Sequence, residues 1–152
     1  MRRAWPVALL VVLIAGCATA PGRTNGDTRA AILAAARAQL GVPYHFGGAS
    51  PREGFDCSGL IHYSYRRAGR IVPRTVAKLR ARATPLPRAR LAPADLLFFH
   101  SPYKSGHVGL YLGNGRFIHA PSSDGRVRID RLDNPYWRRH FSAGGRLLPD
   151  SP

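Results

Sequence analysis

Helical periodicity occupies the first half of this chain and strand alternation the second half, and this order limits the possible folds more than any other feature. Apolar residues recur at helical spacing over residues 29–40 and 56–68, and Gly41 and Gly69 stand where each helix would stop. Short runs rich in β-branched and aromatic residues follow at 95–99, 107–112, 116–120 and 127–132. Helices first and strands later predict an α+β domain with an antiparallel sheet.

Each predicted helix has one apolar face. In the first helix, which follows a capping residue at Asp27 or Thr28, the face consists of Ile32, Leu33, Ala36 and Leu40. In the second helix, the inward-facing residues are Cys57, Leu60, Ile61, Ser64, Tyr65 and Ala68. Residues 80–93 contain three prolines and no usable period, so we predict a loop there.

The N-terminal residues are typical of an export signal. Two arginines precede an apolar run of about a dozen residues, and small residues lead to Cys17. The run is shorter than the roughly 20 residues that a membrane-spanning helix needs. We therefore predict a cleaved signal at residues 1–16, a flexible tether at 17–27 and one folded domain at 28–148.

The letters IAGC that end at Cys17 resemble the lipobox of bacterial lipoproteins, in which the cysteine receives a diacylglycerol. The alternative is an ordinary secretory signal that is cut near Cys17. Position 18 lacks the aspartate that retains such lipoproteins at the inner membrane, so the resemblance implies an anchor in the outer membrane, facing the periplasm. An acylated Cys17 cannot pair with Cys57, which would leave Cys57 as a free thiol in an oxidising compartment.

The chain is strongly basic, with a formal charge of +15 that becomes +13 when Arg2 and Arg3 leave with the signal. Such a surface favours polyanions. However, 21 of the 23 basic residues are arginine, which is a skew that GC-rich coding produces, and they are dispersed along the chain. We therefore predict no nucleic-acid partner.

Cys57 lies in the segment GFDCSGL, where it is a small buried residue, half of a disulfide or a nucleophile. A nucleophile needs activation, because a thiol with a pKa of about 8.5 is only a few per cent thiolate at neutral pH. The first turn of a helix lowers the pKa by about one unit or less, and the carboxylate of Asp56 opposes that effect. As a nucleophile, Cys57 therefore requires a neighbouring imidazole.

His107 and His119 stand out among the six histidines because both lie in a predicted hairpin, GHVGLYLGNGRFIHAP. A two-residue turn at 114–115 would put them on opposite faces, whereas a three-residue loop at 113–115 would put them on one face. We predict the three-residue loop, because the other face then carries the apolar residues Val108, Leu110, Leu112, Ile118 and Ala120. In that arrangement His107 can take the proton of Cys57 while His119 fixes the tautomer of His107. The alternative is that both are half-buried rings without a catalytic role.

Five motifs in series resemble the NlpC-type cysteine peptidases of bacterial cell walls: GVPYHFGG, DCSGL, VPRT, DLLFF and HVGLYLGNGRFIHAP. The resemblance runs from about residue 28 to residue 141. It implies a papain-like fold in which N-terminal helices pack on a small antiparallel β-sheet. It also implies that Cys57 is the nucleophile, His107 the base and His119 the orienting third residue.

The resemblance extends to three further residues of the predicted cleft. Tyr44 would join the backbone N–H of Cys57 in an oxyanion hole. Asp56 and Ser58 resemble residues that, in some members, bind the free amine of a stem peptide's first L-alanine. The alternative roles are a helix cap for Asp56 and a small first-turn residue for Ser58.

The implied activity is hydrolysis of an amide bond next to meso-diaminopimelate in a peptidoglycan stem peptide, through an acyl-enzyme on Cys57. We expect a monomer that uses no metal or cofactor and reaches a membrane through a lipid anchor at Cys17. The alternative is a non-catalytic cell-wall-binding or scaffold lipoprotein of the same fold. Two departures from the family pattern, VAKL after PRT and Ala94 before the DL strand, bear on substrate preference.

Overall fold

Four helices and eight strands follow one another in the computed structural model, which describes Met1 and residues 24–101, 106–123 and 125–149. The helices are α1 (Asn25–Arg37), α2 (Cys57–Arg67), α3 (Val76–Arg82) and α4 (Pro135–His140). The strands are β1 (Ala49–Ser50), β2 (Gly54–Phe55), β3 (Thr84–Leu86), β4 (Leu96–Phe99), β5 (His107–Gly113), β6 (Arg116–His119), β7 (Arg128–Arg131) and β8 (Phe141–Arg146). Within this described part of the chain, no helix has the length and apolar character needed to cross a membrane.

Six strands form one sheet in the spatial order β3-β8-β4-β5-β6-β7, and every neighbouring pair is antiparallel. β1 and β2 form a separate antiparallel ribbon. The four predicted strands correspond to β4, β5, β6 and β7, and the helix predicted at 56–68 is α2. The predicted fold class, α+β with an antiparallel sheet, is therefore confirmed.

The sheet separates two apolar clusters, because adjacent residues of a strand point to opposite faces. In β4, Leu96 and Phe98 pack with residues of α1 and α2. Leu97 and Phe99 point the other way and pack with Trp137 of α4. The first two helices therefore cover one face of the sheet, and α4 covers the other.

α1 begins earlier than the sequence predicts. The side chain of Thr24 accepts a hydrogen bond from the backbone N–H of Asp27, and the carboxylate of Asp27 accepts one from the backbone N–H of Thr24, each at 3.1 Å. This reciprocal capping box starts the helix at Asn25. Residues 25–27 are thus helical and do not belong to a flexible tether, while residues 2–23 lie outside the described part of the chain.

The apolar face predicted for the first helix contains one error. α1 ends at Arg37, three residues before Leu40. Leu40 is 47% exposed, while Ile32 and Ala36 are fully buried. The helical period therefore stops before the predicted face is complete, and Gly41 follows in a turn with a φ of 83°.

α2 has Cys57 as its first residue and Asp56 as its N-cap. A carboxylate oxygen of Asp56 accepts a hydrogen bond from the backbone N–H of Gly59 at 2.6 Å. A Cβ atom at Gly59 would lie 2.0 Å from the carbonyl oxygen of Gly48. Glycine is therefore required for the segment before β1 to lie against the first turn of α2.

Residues 80–93, predicted as a loop, contain regular structure. α3 continues to Arg82, β3 spans Thr84–Leu86, and a short 3₁₀ turn covers Arg88–Arg90. β3 lies at the edge of the sheet, where a proline is tolerated because one side of the strand needs no partner. The prolines therefore remove the periodic signal without preventing the strand.

α4 and β8 have no counterpart among the predicted elements. β8 pairs with both β3 and β4, yet its sequence, FSAGGR, has none of the β-branched residues that mark a strand. A Cβ atom added at Gly144 would lie 2.7 Å from the Leu91 side chain, and one added at Gly145 would lie 2.8 Å from the Phe98 ring. Close packing on both faces of the sheet therefore requires glycine at these two positions. Because glycine has a low strand propensity, the sequence does not indicate a strand there.

The β5–β6 hairpin has a shorter turn than the predicted three-residue loop. Gly113 pairs with Arg116, and between them Asn114 and Gly115 have φ values of 52° and 69°, as in a type I′ turn. A bulge between Tyr111 and Gly113 adds one residue to β5. A two-residue turn alone would put His107 and His119 on opposite faces of the hairpin. The extra residue in β5 reverses this effect, so the two histidines still share one face. The five apolar residues predicted for the other face all belong to the core.

Candidate active site

A cleft of about 680 Å³ opens between the first turn of α2 and the start of β5. The predicted site residues in its wall are Tyr44, Asp56, Cys57, Ser58 and His107. His119 lies behind His107 and is fully buried. Cys17, the predicted lipid attachment site, lies outside the described residues.

Cys57 carries a free thiol at the N-terminus of α2. Burial raises the pKa of this thiol, a hydrogen bond that the backbone N–H of Val108 donates to the sulfur lowers it, and the carboxylate of Asp56 raises it further. The raising effects prevail, so the resting thiol is protonated at neutral pH. The contact with Val108 also places the sulfur beside the start of β5, where His107 is the preceding residue.

His107 and His119 are in direct contact, with 2.8 Å between Nε2 of His107 and Nδ1 of His119. Burial lowers the pKa of His107 to about 3, and the neighbouring His119 acts in the same direction. Burial also lowers the pKa of His119. Both imidazoles are therefore neutral at neutral pH, and Nδ1 of His107 is the ring nitrogen that His119 does not use.

An aromatic shell surrounds the two imidazoles. The Trp137 ring stacks on His107 with 5.5 Å between centroids and an interplanar angle of 27°, and it meets the His119 ring edge-on at 4.8 Å. Phe117 lies 4.7 Å from the His119 ring, and Phe99 lies 6.0 Å from His107. These side chains cover much of the two rings and contribute to the lowered histidine pKa values.

Asp130 of β7 lies on the far side of His119. Its Oδ2 atom is 3.0 Å from Nε2 of His119, and it accepts hydrogen bonds from Arg128 at 2.7 Å and from the indole N–H of Trp137 at 2.8 Å. Burial raises the pKa of this carboxyl, but the hydrogen bonds from His119 and Arg128 outweigh that effect and hold the pKa well below its usual range. Asp130 is therefore ionised.

Asp130, Arg128 and Trp137 are not among the site residues that the sequence predicts. The sequence contains one signal for Arg128 and Asp130, because residues two apart in a predicted strand lie on the same face. In β7, Arg128 pairs with His119 and Asp130 with Phe117. Trp137 lies in a helix of six residues, which is too short to show a helical period.

Tyr44 is half-buried in the cleft wall. Its backbone N–H donates to the carbonyl oxygen of Gly125 at 2.7 Å, and its backbone forms a parallel bridge with Phe55. These contacts hold the residue between the β1–β2 ribbon and the segment before β7. Its role in an oxyanion hole stays a prediction.

Asp56 and Ser58 form a network with Arg74, which is not among the predicted site residues. Arg74 binds the Asp56 carboxylate through two N–H groups at 2.9 Å each, and it donates to the Ser58 hydroxyl at 2.9 Å and to the carbonyl oxygen of Gly48 at 3.0 Å. Asp56 also caps α2. The alternative role of helix cap is thus observed for Asp56, and amine binding by Asp56 and Ser58 stays a prediction.

The described residues contain no group of three or more histidine, cysteine, aspartate or glutamate side chains arranged to hold a metal ion. The side chains in the cleft are of the kinds that nucleophilic chemistry uses. A thiol at a helix N-terminus, an imidazole in the same cleft and a second imidazole behind it are the parts of a thiol-dependent acyl-transfer site on an α+β scaffold.

This chain belongs to the NlpC/P60 family, whose model matches residues 41–146. It is 41% identical over 115 residues to the murein DD-endopeptidase MepH of Escherichia coli K12. The aligned region covers 72% of this chain and 42% of MepH. It is 43% identical over 117 residues to the probable endopeptidase YafL of the same organism. That aligned region covers 74% of this chain and 47% of YafL.

The fold also resembles that of solved family members. The crystal structure of an NLP/P60-family protein of Staphylococcus aureus Mu50, described as similar to lipoprotein, matches with a TM-score of 0.76 and 34% identity. The match covers 87% of this chain and 45% of that chain. This chain therefore spans less than half the length of each of these three relatives.

Proposed function

We propose that the protein is a peptidoglycan endopeptidase that hydrolyses an amide bond next to meso-diaminopimelate in the stem peptide, through an acyl-enzyme on Cys57. The observation that carries the proposal is the arrangement of Cys57 and His107 in one cleft wall, with His119 2.8 Å behind His107. The substrate class is supported by the relatives, since MepH is named a murein DD-endopeptidase and YafL a probable endopeptidase.

The proposed reaction starts from a neutral thiol and a neutral imidazole. As Sγ of Cys57 attacks the carbonyl carbon of the scissile amide, its proton passes to Nδ1 of His107, and the carbonyl electron pair moves onto the oxygen. The backbone N–H of Cys57 and the hydroxyl of Tyr44 stabilise this oxyanion. The C–N bond then breaks, and the leaving amine takes the proton from His107.

The product of this first half is a thioester on Cys57. Water attacks the thioester carbonyl while His107 takes one of its protons. Collapse of the second tetrahedral intermediate breaks the C–S bond, and the proton on His107 returns to the sulfur. The net reaction is addition of one water molecule across the peptide bond, and the site returns to its starting protonation state.

We also propose that the protein is exported and anchored through a lipid on Cys17, in the outer membrane facing the periplasm. This proposal rests on the apolar run and the letters IAGC before the tether. Cells that express the protein and receive labelled palmitate should yield a labelled band. The band should lose its label in the Cys17→Ser variant; label in that variant would contradict the proposal.

The activity is tested on isolated peptidoglycan sacculi with purified full-length protein in detergent. We expect release of soluble muropeptides, which mass spectrometry identifies by their new chain ends, and a loss of at least about a thousandfold in Cys57→Ala. Cys17→Ser is the matched control, since it also removes a thiol but should keep its activity on isolated sacculi.

The outcomes separate the two candidate functions. Equal release by the wild type and Cys57→Ala would end the proposed mechanism. Binding to sacculi without release by the wild type would favour the non-catalytic scaffold. The masses of the products identify which amide bond is cut.

A further inference from the structure

The carboxylate of Asp130 ends a line of hydrogen-bonding groups that starts at His107. Nε2 of His107 faces Nδ1 of His119 at 2.8 Å, and Nε2 of His119 faces Oδ2 of Asp130 at 3.0 Å. We propose that Asp130 is a positioning residue that sets the tautomers of both histidines and leaves Nδ1 of His107 unprotonated. This inference rests on the proposed function, because it concerns how the same site is prepared for the proton of Cys57.

The proton positions follow from the carboxylate, because an ionised carboxylate only accepts hydrogen bonds. Asp130 is ionised, since the hydrogen bonds to it outweigh the effect of its burial on its pKa. The contact between Asp130 and His119 therefore requires a proton on Nε2 of His119. A neutral imidazole has one N–H group, so Nδ1 of His119 must carry a lone pair.

The lone pair on His119 then decides the tautomer of His107. At 2.8 Å, Nδ1 of His119 must accept a hydrogen bond, and the facing atom, Nε2 of His107, must donate it. His107 is neutral and has only this one N–H group. Its Nδ1 atom is therefore the free base, on a side chain that lines the cleft together with Cys57.

Without the carboxylate of Asp130, the donor and the acceptor of the hydrogen bond between the two rings can be exchanged. A proton on Nδ1 of His119 would be donated to Nε2 of His107, and the proton of His107 would then lie on Nδ1. In that state His107 has no lone pair for the thiol proton. Both directions have one hydrogen bond between the rings, so that contact does not choose between them, and the carboxylate at the far end does.

The protein holds Asp130 in place from several sides. Its position in β7, opposite Phe117, puts its side chain on the sheet face of His119. Arg128 and Trp137 donate to the same oxygen that faces His119, at 2.7 and 2.8 Å. These donors fix the oxygen, and the charge of Arg128 favours its ionised form.

Nitrogen-15 NMR of the histidine rings tests the tautomers without any need for activity. In the full-length protein at neutral pH, we expect His107 and His119 each to have a protonated Nε2 and an unprotonated Nδ1. Single variants, His107→Gln and His119→Gln, assign the signals. A protonated Nδ1 on either ring would overturn the proposal, whether or not the protein cleaves peptidoglycan.

The variant Asp130→Asn tests the consequence for catalysis. We expect a population of His107 with a protonated Nδ1, and a fall in kcat on sacculi of about 10- to 100-fold with KM unchanged. Asp133→Asn is the matched control, because it also removes one carboxylate charge nearby, from an exposed pair with Arg131. Both readouts should be unchanged in the control.

The two readouts must change together. A wild-type kcat in Asp130→Asn would overturn the proposal, and so would a lower kcat with unchanged tautomers, because the loss would then have another structural origin. If Asp130→Asn does not fold, the tautomers of the wild-type protein decide the question alone. If the wild type does not cleave sacculi, the proposed function fails while the tautomers still test the role of Asp130.

Discussion

At the scale of single residues, burial sets the protonation states of the site. It raises the pKa of Cys57 and lowers that of His107, so both groups are neutral at rest. A thiolate and an imidazolium would each lose hydration in this cleft. In the proposed reaction, the proton therefore moves when the sulfur attacks, and the charges develop only where the surrounding groups can stabilise them in the transition state.

The buried histidines predict a loss of stability in acid. An unfolded histidine has a pKa near 6.5, whereas that of folded His107 is lowered to about 3 and that of His119 is also lowered. Below about pH 6.5 the unfolded chain binds protons that the folded chain excludes, so the free energy of unfolding falls as the pH falls. We expect the urea midpoint to drop steadily from pH 6.5 to pH 4.

A double variant isolates this contribution. His107→Gln with His119→Gln removes both titrating rings, so its urea midpoint should depend less on pH over the same range. The carboxyl of Asp130, whose pKa is held low, contributes in the same direction in more acidic solution. Parallel curves for the wild type and the double variant would show that other groups cause the acid sensitivity.

At the scale of secondary-structure elements, close backbone contacts align the two sides of the cleft. The first turn of α2 carries Cys57, and the segment from Tyr44 to Gly48 packs against it through Gly59. Arg74 joins the same two parts, since it binds both Asp56 and the carbonyl oxygen of Gly48. The proposed nucleophile and the predicted oxyanion residue are thus aligned by one helix turn and one loop.

Gly59→Ala tests that contact. Its Cβ atom would lie 2.0 Å from the carbonyl oxygen of Gly48, so the loop must move away from α2. We expect a loss of about 1–3 kcal/mol in the free energy of unfolding, together with a lower kcat on sacculi. Urea denaturation and muropeptide release measure the two effects.

Gly26→Ala is the matched control for that variant. Gly26 also lies in the first turn of a helix, but its nearest neighbour would be 3.6 Å from the added Cβ atom. We expect a gain of about 0.4–1 kcal/mol, because alanine restricts the unfolded chain. If both variants behave alike, the close approach of Gly59 to Gly48 is not what orders the cleft.

At the scale of the whole molecule, Asp95 connects the N-terminal helix to the sheet. It lies directly before β4, is 1% exposed, and pairs with Arg29 of α1 at 3.1 Å and with Arg146 of β8 at 2.7 Å. The backbone N–H of Ala92 donates to the same carboxylate at 2.8 Å. One buried charge therefore links elements from both ends of the described chain.

Asp95→Ala should strongly destabilise the fold. Two arginines would lose their partner in a buried place, which typically costs about 3–5 kcal/mol. The urea midpoint of Asp133→Ala, which breaks the exposed pair with Arg131, should stay close to the wild-type value. Equal midpoints for the two variants would contradict the structural role of Asp95.

The fold class and most residues of the candidate site can be predicted from the sequence alone. Its signals are local: the period of α2, the alternation of β4 to β7, and the placement of Cys57 at a helix start. The shared face of His107 and His119 was also predictable, because the alternation of apolar residues in the hairpin demanded it. The length of the turn was not predictable, because a two-residue turn with a bulge in β5 puts the two histidines on the same face as a three-residue loop does.

What lies behind and beside these residues depends on contacts between distant segments of the chain. Asp130 and Trp137 reach His119 from other elements, and Arg74 reaches Asp56 from the segment before α3. β8 was hidden for a related reason, because Gly144 and Gly145 are selected by neighbours on both faces and carry no strand propensity. Local patterns record which face of an element is buried, whereas a hydrogen bond between distant segments leaves no periodic trace in the sequence.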